Sequence, residues 1–171
     1  MKALSIWIYS YRFILFSYDM KTLIIYYSLD GNTQSIAETL QQTLHADILR
    51  LHPIKDISGS KLMRYFRGGK QAVMKELPEL APLAKNPSDY DLIIIGTPVR
   101  AFTYAPALRT FFHQYPLTNK KIALFCTHEG QAKHTLTNMS DQLPNNEIIA
   151  TKDFPDVAKH REASVDEAKH W

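Results

Sequence analysis

The pattern of apolar and polar positions changes period along this chain. Three runs, Leu23 to Tyr27, Leu92 to Ile95 and Ile122 to Phe125, are continuous apolar stretches rich in Ile. Strands of a parallel sheet covered on both faces read this way, because neither face meets water. Each run ends in small or polar residues: Ser28-Leu29-Asp30-Gly31, Gly96-Thr97-Pro98 and Cys126-Thr127-His128-Glu129-Gly130. Between the runs the spacing becomes helical. Ile36, Leu40 and Leu44 form one apolar stripe with Ala37 beside it. Leu108, Phe111 and Phe112 form another after Pro106, a residue suited to a first helical turn. Leu136, Met139 and Leu143 form a third, stopped by Pro144.

These patterns predict strands over 22–28, 46–51, 91–96, 121–127 and 147–154. They predict helices over 33–44, near 61–75, and over 106–114, 132–143 and 164–171. Strict alternation of strand and helix argues for an α/β fold with a doubly wound parallel sheet. Residues 52–89 form a long connection whose second half is cut by Pro78, Pro82 and Pro87. No internal repeat or interdomain linker stands out.

A chain of 171 residues fits one domain, at ~100–200 residues per domain. With 45% apolar and 22% charged residues it has the composition of a folded domain, which excludes global disorder. The single cysteine, Cys126, excludes an intramolecular disulfide framework and a multi-cysteine metal site, and fits a reducing compartment, the cytoplasm. The seven histidines show no paired metal spacing. A net charge of +3 is too mild for a dedicated nucleic-acid binder.

Residues 3–18, ALSIWIYSYRFILFSY, are aromatic and interrupted by Arg12. The run is shorter than the ~20 apolar residues a membrane-spanning helix needs. Nor is there a small-residue cleavage site in LFSYDM. Residues 1–19 are therefore expected to be an extension outside the fold, with the domain running over 20–171 and no stable membrane insertion. The last predicted helix stops early, which suggests a shortened C-terminus.

The chemistry gathers at the strand ends, where open α/β sheets bind their ligands. The loop Ser28-Leu29-Asp30-Gly31-Asn32-Thr33 runs straight into a helix. Its amides and the helix N-terminus can converge on an anion, and Gly31 permits a left-handed turn. The loop is neither GxxxxGK[ST] nor GxGxxG. Hydroxyls without a lysine suit a phosphomonoester held by neutral donors; an ordinary Asn or Thr helix cap reads the same way.

The stretch Leu23 to Thr33 resembles the flavodoxin signature: an apolar strand, an aromatic, Ser or Thr, then spaced Gly and Thr. Tyr90 to Val99 resembles the third strand of that family and its loop, and Ala105 to Phe111 the helix that follows. Ala123 to Gly130 falls where the family has its last flavin loop. The resemblance implies a three-layer, five-stranded parallel sheet of order 2-1-3-4-5 and an FMN site. Ser28, Leu29, Asp30, Gly31, Asn32 and Thr33 would hold the ribityl phosphate. Thr97, Pro98, Val99, Arg100, Ala101 and Phe102 would edge the isoalloxazine, and Thr127, His128, Glu129 and Gly130 would close its other side.

Arg100 stands where the family often has a tryptophan, with Phe102 and Tyr104 as nearby aromatics. Its guanidinium either stacks on the ring, placing positive charge there, or points to solvent. The segment Tyr65-Phe66-Arg67-Gly68-Gly69 resembles a stretch of some short members of the family, but a helix ending at a glycine cap is the commoner arrangement and the favoured reading. Three functions stay open. The first is electron transfer on FMN to a redox partner protein or small-molecule acceptor. The second is an FMN-dependent NAD(P)H:quinone or other small-acceptor oxidoreductase. The third is a flavin-free interaction module.

Overall fold

The computed structural model describes residues 20–55 and 77–171. The three apolar runs form β1 (Thr22–Tyr26), β3 (Leu92–Pro98) and β4 (Lys121–His128), and two further strands, β2 (Asp47–Arg50) and β5 (Glu147–Pro155), form the edges. All four neighbouring pairs are parallel, in the order β2-β1-β3-β4-β5. The helices are α1 (Asn32–Leu44), α2 (Pro106–Gln114), α3 (Thr135–Ser140) and α4 (Arg161–His170). The expected sheet and its strand order are what the chain forms.

The continuous apolar runs have a direct cause. Successive side chains of a strand point to opposite faces, and here both faces are covered. Leu23, Ile25, Ile93, Ile95, Ile122 and Leu124 pack on one side with Leu108 and Phe111 of α2 and Met139 of α3. Ile24, Tyr26, Ile94, Ala123 and Phe125 pack on the other with Ile36, Ala37 and Leu40 of α1 and Ala168 of α4. Each fully buried Leu or Ile contributes ~1.5–3 kcal/mol, so a polar residue on either face of β1 would be costly. On the second face the rings of Phe125, Phe154 and Trp171 meet edge to face, with centroids 6.1 to 6.3 Å apart. Gly96 makes room for this cluster: a Cβ there would lie 2.1 Å from Cζ of Phe125, its register partner on β4.

Several boundaries differ from expectation. The first strand ends at Tyr26 rather than 28, because the chain turns there into a loop held by side chains. The helix expected over 132–143 is only Thr135–Ser140. Lys133 sits at φ 48°, outside helical space, and Thr137, Asn138 and Ser140 are weak helix formers. The last helix begins at Arg161, ahead of the expected 164. The extension 1–19, the helix near 61–75 and the Tyr65-to-Gly69 stretch lie outside the described residues.

The long connection returns to where it leaves. Pro53 bridges Leu80, Ile54 N–H donates to Glu79 O and Ala81 N–H to His52 O, both at 2.8 Å. At the amino ends of the strands, the Tyr90 hydroxyl and the Lys85 ammonium both donate to Asp47, at 2.7 Å. These bonds hold the Asp47 carboxyl below its usual range. Burial and the Asp47 bond push the Tyr90 phenol up to about 12. Among the described residues no helix is long and apolar enough to cross a membrane.

Candidate cofactor site

The carboxyl ends of β1, β3 and β4 carry three loops that line one cavity of about 520 Å³. That size lies within the ~300–1,000 Å³ of small-molecule sites.

The first loop turns at Gly31, whose φ of 87° makes it the left-handed cap of α1. A Cβ at Gly31 would meet nothing within 4 Å, so the backbone conformation alone demands glycine. Gly31 N–H donates to Ser28 Oγ at 3.2 Å and closes the turn. No side chain caps α1, and its first turn holds no acid. The helix therefore presents its amide dipoles to a loop whose one carboxylate, Asp30, lies 3.7 Å from the Arg100 guanidinium. This corrects the plain capping reading of Asn32 and Thr33: the cap is Gly31. The Thr33 hydroxyl instead shares a buried 2.8 Å hydrogen bond with the hydroxyl of Thr127 on β4.

The second loop folds back as a tight hairpin. Arg100 and Thr103 exchange backbone bonds of 2.7 and 3.0 Å. The two residues between them, Ala101 at φ 46° and Phe102 at φ 64°, are both left-handed. Turns of this kind ordinarily take Asn-Gly. The ring of Phe102 stands 64% exposed at the tip, with the Lys133 ammonium 5.9 Å from its centroid. Arg100 is only 9% exposed, and its guanidinium lies 3.7 Å from the Asp30 carboxylate. The solvent-facing alternative for Arg100 is thereby excluded; its charge sits in the cavity wall.

The third loop brings His128, whose Nε2 lies 3.0 Å from an Asp153 carboxylate oxygen. His128 Nδ1 is buried and has no partner among the described residues. Cys126 just before it is fully buried, and desolvation, with the Asp153 charge, pushes its thiol up to about 12. A thiol held protonated in this way is not a redox nucleophile.

The structure brings most of the expected residues together. Ser28, Leu29, Asp30, Asn32 and Thr33 of the first loop line the cavity. Pro98, Val99, Arg100, Ala101 and Phe102 of the second and Thr127, His128, Glu129 and Gly130 of the third complete its wall, and the first two loops meet where Arg100 lies 3.7 Å from Asp30. Gly31 and Thr97 are not in the wall. Gly31 shapes the turn, while the Thr97 hydroxyl accepts from Ala105 N–H at 3.0 Å and anchors the start of α2. Tyr104 is also removed from the aromatic candidates. It is a core residue, edge-on to Phe112 at 5.6 Å and under the Arg109 guanidinium.

The sequence reading missed Gln131, which extends the third loop's wall. It also missed Asp153, on the neighbouring strand β5. The third residue missed is Arg50, at the end of β2. Its Nη2 donates to Ser28 O at 2.9 Å, and its Nη1 donates to Gln34 Oε1 at 3.0 Å. A β2 residue was legible only once β2 was known to lie beside β1.

A five-stranded parallel sheet with its cavity at the carboxyl ends of the strands defines the class: a flavodoxin-like α/β protein. The chain belongs to the flavodoxin family, whose model matches residues 21–167. Among solved structures it is similar to a flavoprotein in complex with FMN from Lactobacillus acidophilus, at 22% identity and a TM-score of 0.66, covering 84% of this chain and 97% of that one. It is also similar to an oxidised flavodoxin 2 from Bacillus cereus, at 16% identity and a TM-score of 0.58, covering 88% and 93%. The apo-form of the Lactobacillus acidophilus flavoprotein aligns at 24% identity and a TM-score of 0.55, covering 82% and 96%. No curated protein matches.

Proposed function

We propose that this protein binds FMN in the cavity and carries out electron transfer. The observation that carries the reading is the polarity of the cavity wall. One loop is a helix N-terminus without a side-chain cap, with the hydroxyls of Ser28 and Thr33, and the next is a hairpin bearing Phe102 at its tip, the Arg100 guanidinium lying between the two loops 3.7 Å from Asp30. A phosphate tail suits the first loop and a flat, electron-accepting ring the second. The buried, unsatisfied Nδ1 of His128 fits a ligand at that wall. The family and the FMN-bound relative support the same assignment.

FMN, when bound, would supply the redox chemistry. The chain's own residues do the rest. The 28–33 loop binds and orients the phosphate, Phe102 covers ring surface, and Arg100 places positive charge near it. We place the protein in the cytoplasm, since Cys126 is a free, buried thiol.

Direct reduction of a small acceptor with NAD(P)H is the second reading, and His128 favours it. An imidazole fixed through Nε2 by Asp153 can hold a proton at the cavity wall. The experiment is an absorbance spectrum of the purified full chain after incubation with FMN and desalting. A retained flavin spectrum supports the proposal; a colourless folded protein overturns it in favour of the flavin-free module. NAD(P)H oxidation by the yellow protein with a quinone acceptor then selects the reductase. Its absence, with reversible photoreduction of the flavin, selects the electron carrier.

A further inference from the structure

We propose that Arg50 is the positioning residue that gives the 28–33 loop its preference for a phosphorylated ligand; where the ligand is FMN, this rests on the reading above. The loop itself holds hydroxyls, amides and the Asp30 carboxylate, which the Arg100 guanidinium faces at 3.7 Å, and it has no cation of its own. Arg50 ends β2, directly beside Tyr26 at the end of β1. From there its guanidinium reaches behind the loop rather than into the cavity, and Arg50 is not among the cavity-lining residues.

Its two donors are used in a fixed fork. One nitrogen holds Ser28 O and the other holds Gln34 Oε1, at 2.9 and 3.0 Å. Gln34 in turn donates from Nε2 to Glu38 Oε1 at 2.7 Å. The loop's first carbonyl and the first turns of α1 are thus clamped to one cation. Lysine, a single point charge on a flexible stem, could not hold both with the same geometry.

The clamp has an electrical consequence. The peptide joining Ser28 to Leu29 is trans, so its N–H points opposite to the carbonyl that Arg50 holds. Drawing electron density from that carbonyl makes the Leu29 N–H a stronger donor, as hydrogen-bonded chains polarise one another. Leu29 lines the cavity. A dianion in the loop also feels the guanidinium charge directly through a partly buried, weakly screened path. The groups around Arg50 are Tyr26, Gln34 and Glu38, and the Glu38 carboxylate meets it only through neutral Gln34. Both charges act on the Tyr26 phenol, which burial raises, Arg50 lowers and Glu38 raises. The ribityl and ring portions of a ligand gain nothing from this arrangement; only the phosphate does.

The test compares wild type with Arg50→Gln and Arg50→Lys, using FMN, riboflavin and inorganic phosphate as separate probes. Losing a charge-assisted interaction weakens FMN binding by about tenfold in Arg50→Gln, since hydrogen bonds to charged groups are worth at least that factor. Riboflavin binding stays within about twofold, a change too small for a lost charge-assisted bond. Arg50→Lys recovers part of the FMN affinity, since it keeps the charge and loses the fork. A merely structural role would weaken FMN and riboflavin together and would overturn the proposal. The phosphate arm stands apart from the flavin. Inorganic phosphate shifts the amide resonances of Leu29 and Asn32 to Gln34 in wild type, with apparent affinity about tenfold lower in Arg50→Gln. Equal phosphate responses in the two proteins, or none in wild type, overturn the inference whatever FMN does. A phosphate-responsive loop in a chain that binds no FMN overturns the FMN reading alone.

Discussion

Two loops of the cavity wall meet the same backbone demand with different residues. In the first loop the left-handed position falls to Gly31, which adopts φ 87° without strain. In the hairpin two left-handed positions fall to Ala101 and Phe102, at 46° and 64°. For residues with a Cβ that conformation costs ~1–2 kcal/mol each. The difference follows from what each loop presents. At the first turn no side chain is needed at position 31, so glycine suffices. On the proposed reading the hairpin carries the Phe102 ring at its tip, and glycine cannot supply one. Strain of this kind is common at functional sites.

Substitutions in the two loops can break or sharpen that contrast. The largest effect is expected from Ser28→Ala combined with Thr33→Ala. Each buried hydroxyl lost leaves a partner unsatisfied, at ~1–3 kcal/mol apiece. In Thr33→Ala the stranded partner is the Thr127 hydroxyl. Titration of the double mutant with FMN should show affinity down by well over tenfold, at ~1.4 kcal/mol per factor of ten. Unchanged affinity would remove the assignment of the first loop to the phosphate.

Gly31→Ala comes next. The added methyl meets open space, so the whole cost is conformational, ~1–2 kcal/mol. A lower thermal midpoint accompanied by weaker FMN binding is the expected result; a midpoint equal to wild type would mean that the turn is not held at this φ. Ala101→Gly is the mirror experiment with the opposite sign. It relieves a left-handed alanine while loosening the unfolded chain, for a net gain of ~0.5–1 kcal/mol. A fall in midpoint would show that Ala101 is unstrained and would dissolve the contrast between the loops.

The smallest effect belongs to the far edge of the sheet. The folded-state carboxyl of Asp47 titrates below its usual value. Its bonds to Lys85 and Tyr90 therefore stabilise the fold above the ordinary carboxylate range. That contribution is lost as the pH falls through the depressed value. Asp47→Asn should flatten the acid limb of the stability curve and leave FMN affinity at neutral pH untouched. An altered affinity would contradict the separation of a structural amino edge from a functional carboxyl edge.

What was legible in the sequence followed local rules. The inner strands β1, β3 and β4 were readable because both their faces are covered, leaving uninterrupted Ile-rich runs; the edge strands β2 and β5 are half exposed and have no such run. The helix over 106–114 was placed to the residue because Pro106 opens it and its apolar stripe is regular. The helix over 132–143 was overextended because the stripe of Leu136, Met139 and Leu143 continues past the residues whose backbone is helical. The loops were locatable from polar residues ending apolar runs, but their internal geometry was not. Nothing in Arg100-Ala101-Phe102-Thr103 advertises a double left-handed turn, since neither central residue is Gly or Asn. Arg50 and Asp153 were invisible for another reason. Each acts on a loop distant in sequence, and only the order of strands in the sheet brings them there.

The hydrogen bond between Thr33 and Thr127 spans 94 positions of sequence. Contacts of such separation are slow to form, because a long loop of chain must close first. The first loop and α1 are local in sequence, but their partner is in place only when β3 lies beside β1 and β4 beside β3. The cavity wall thus depends on a contact of high sequence separation, so a ligand bound there is expected to slow unfolding more than it speeds folding.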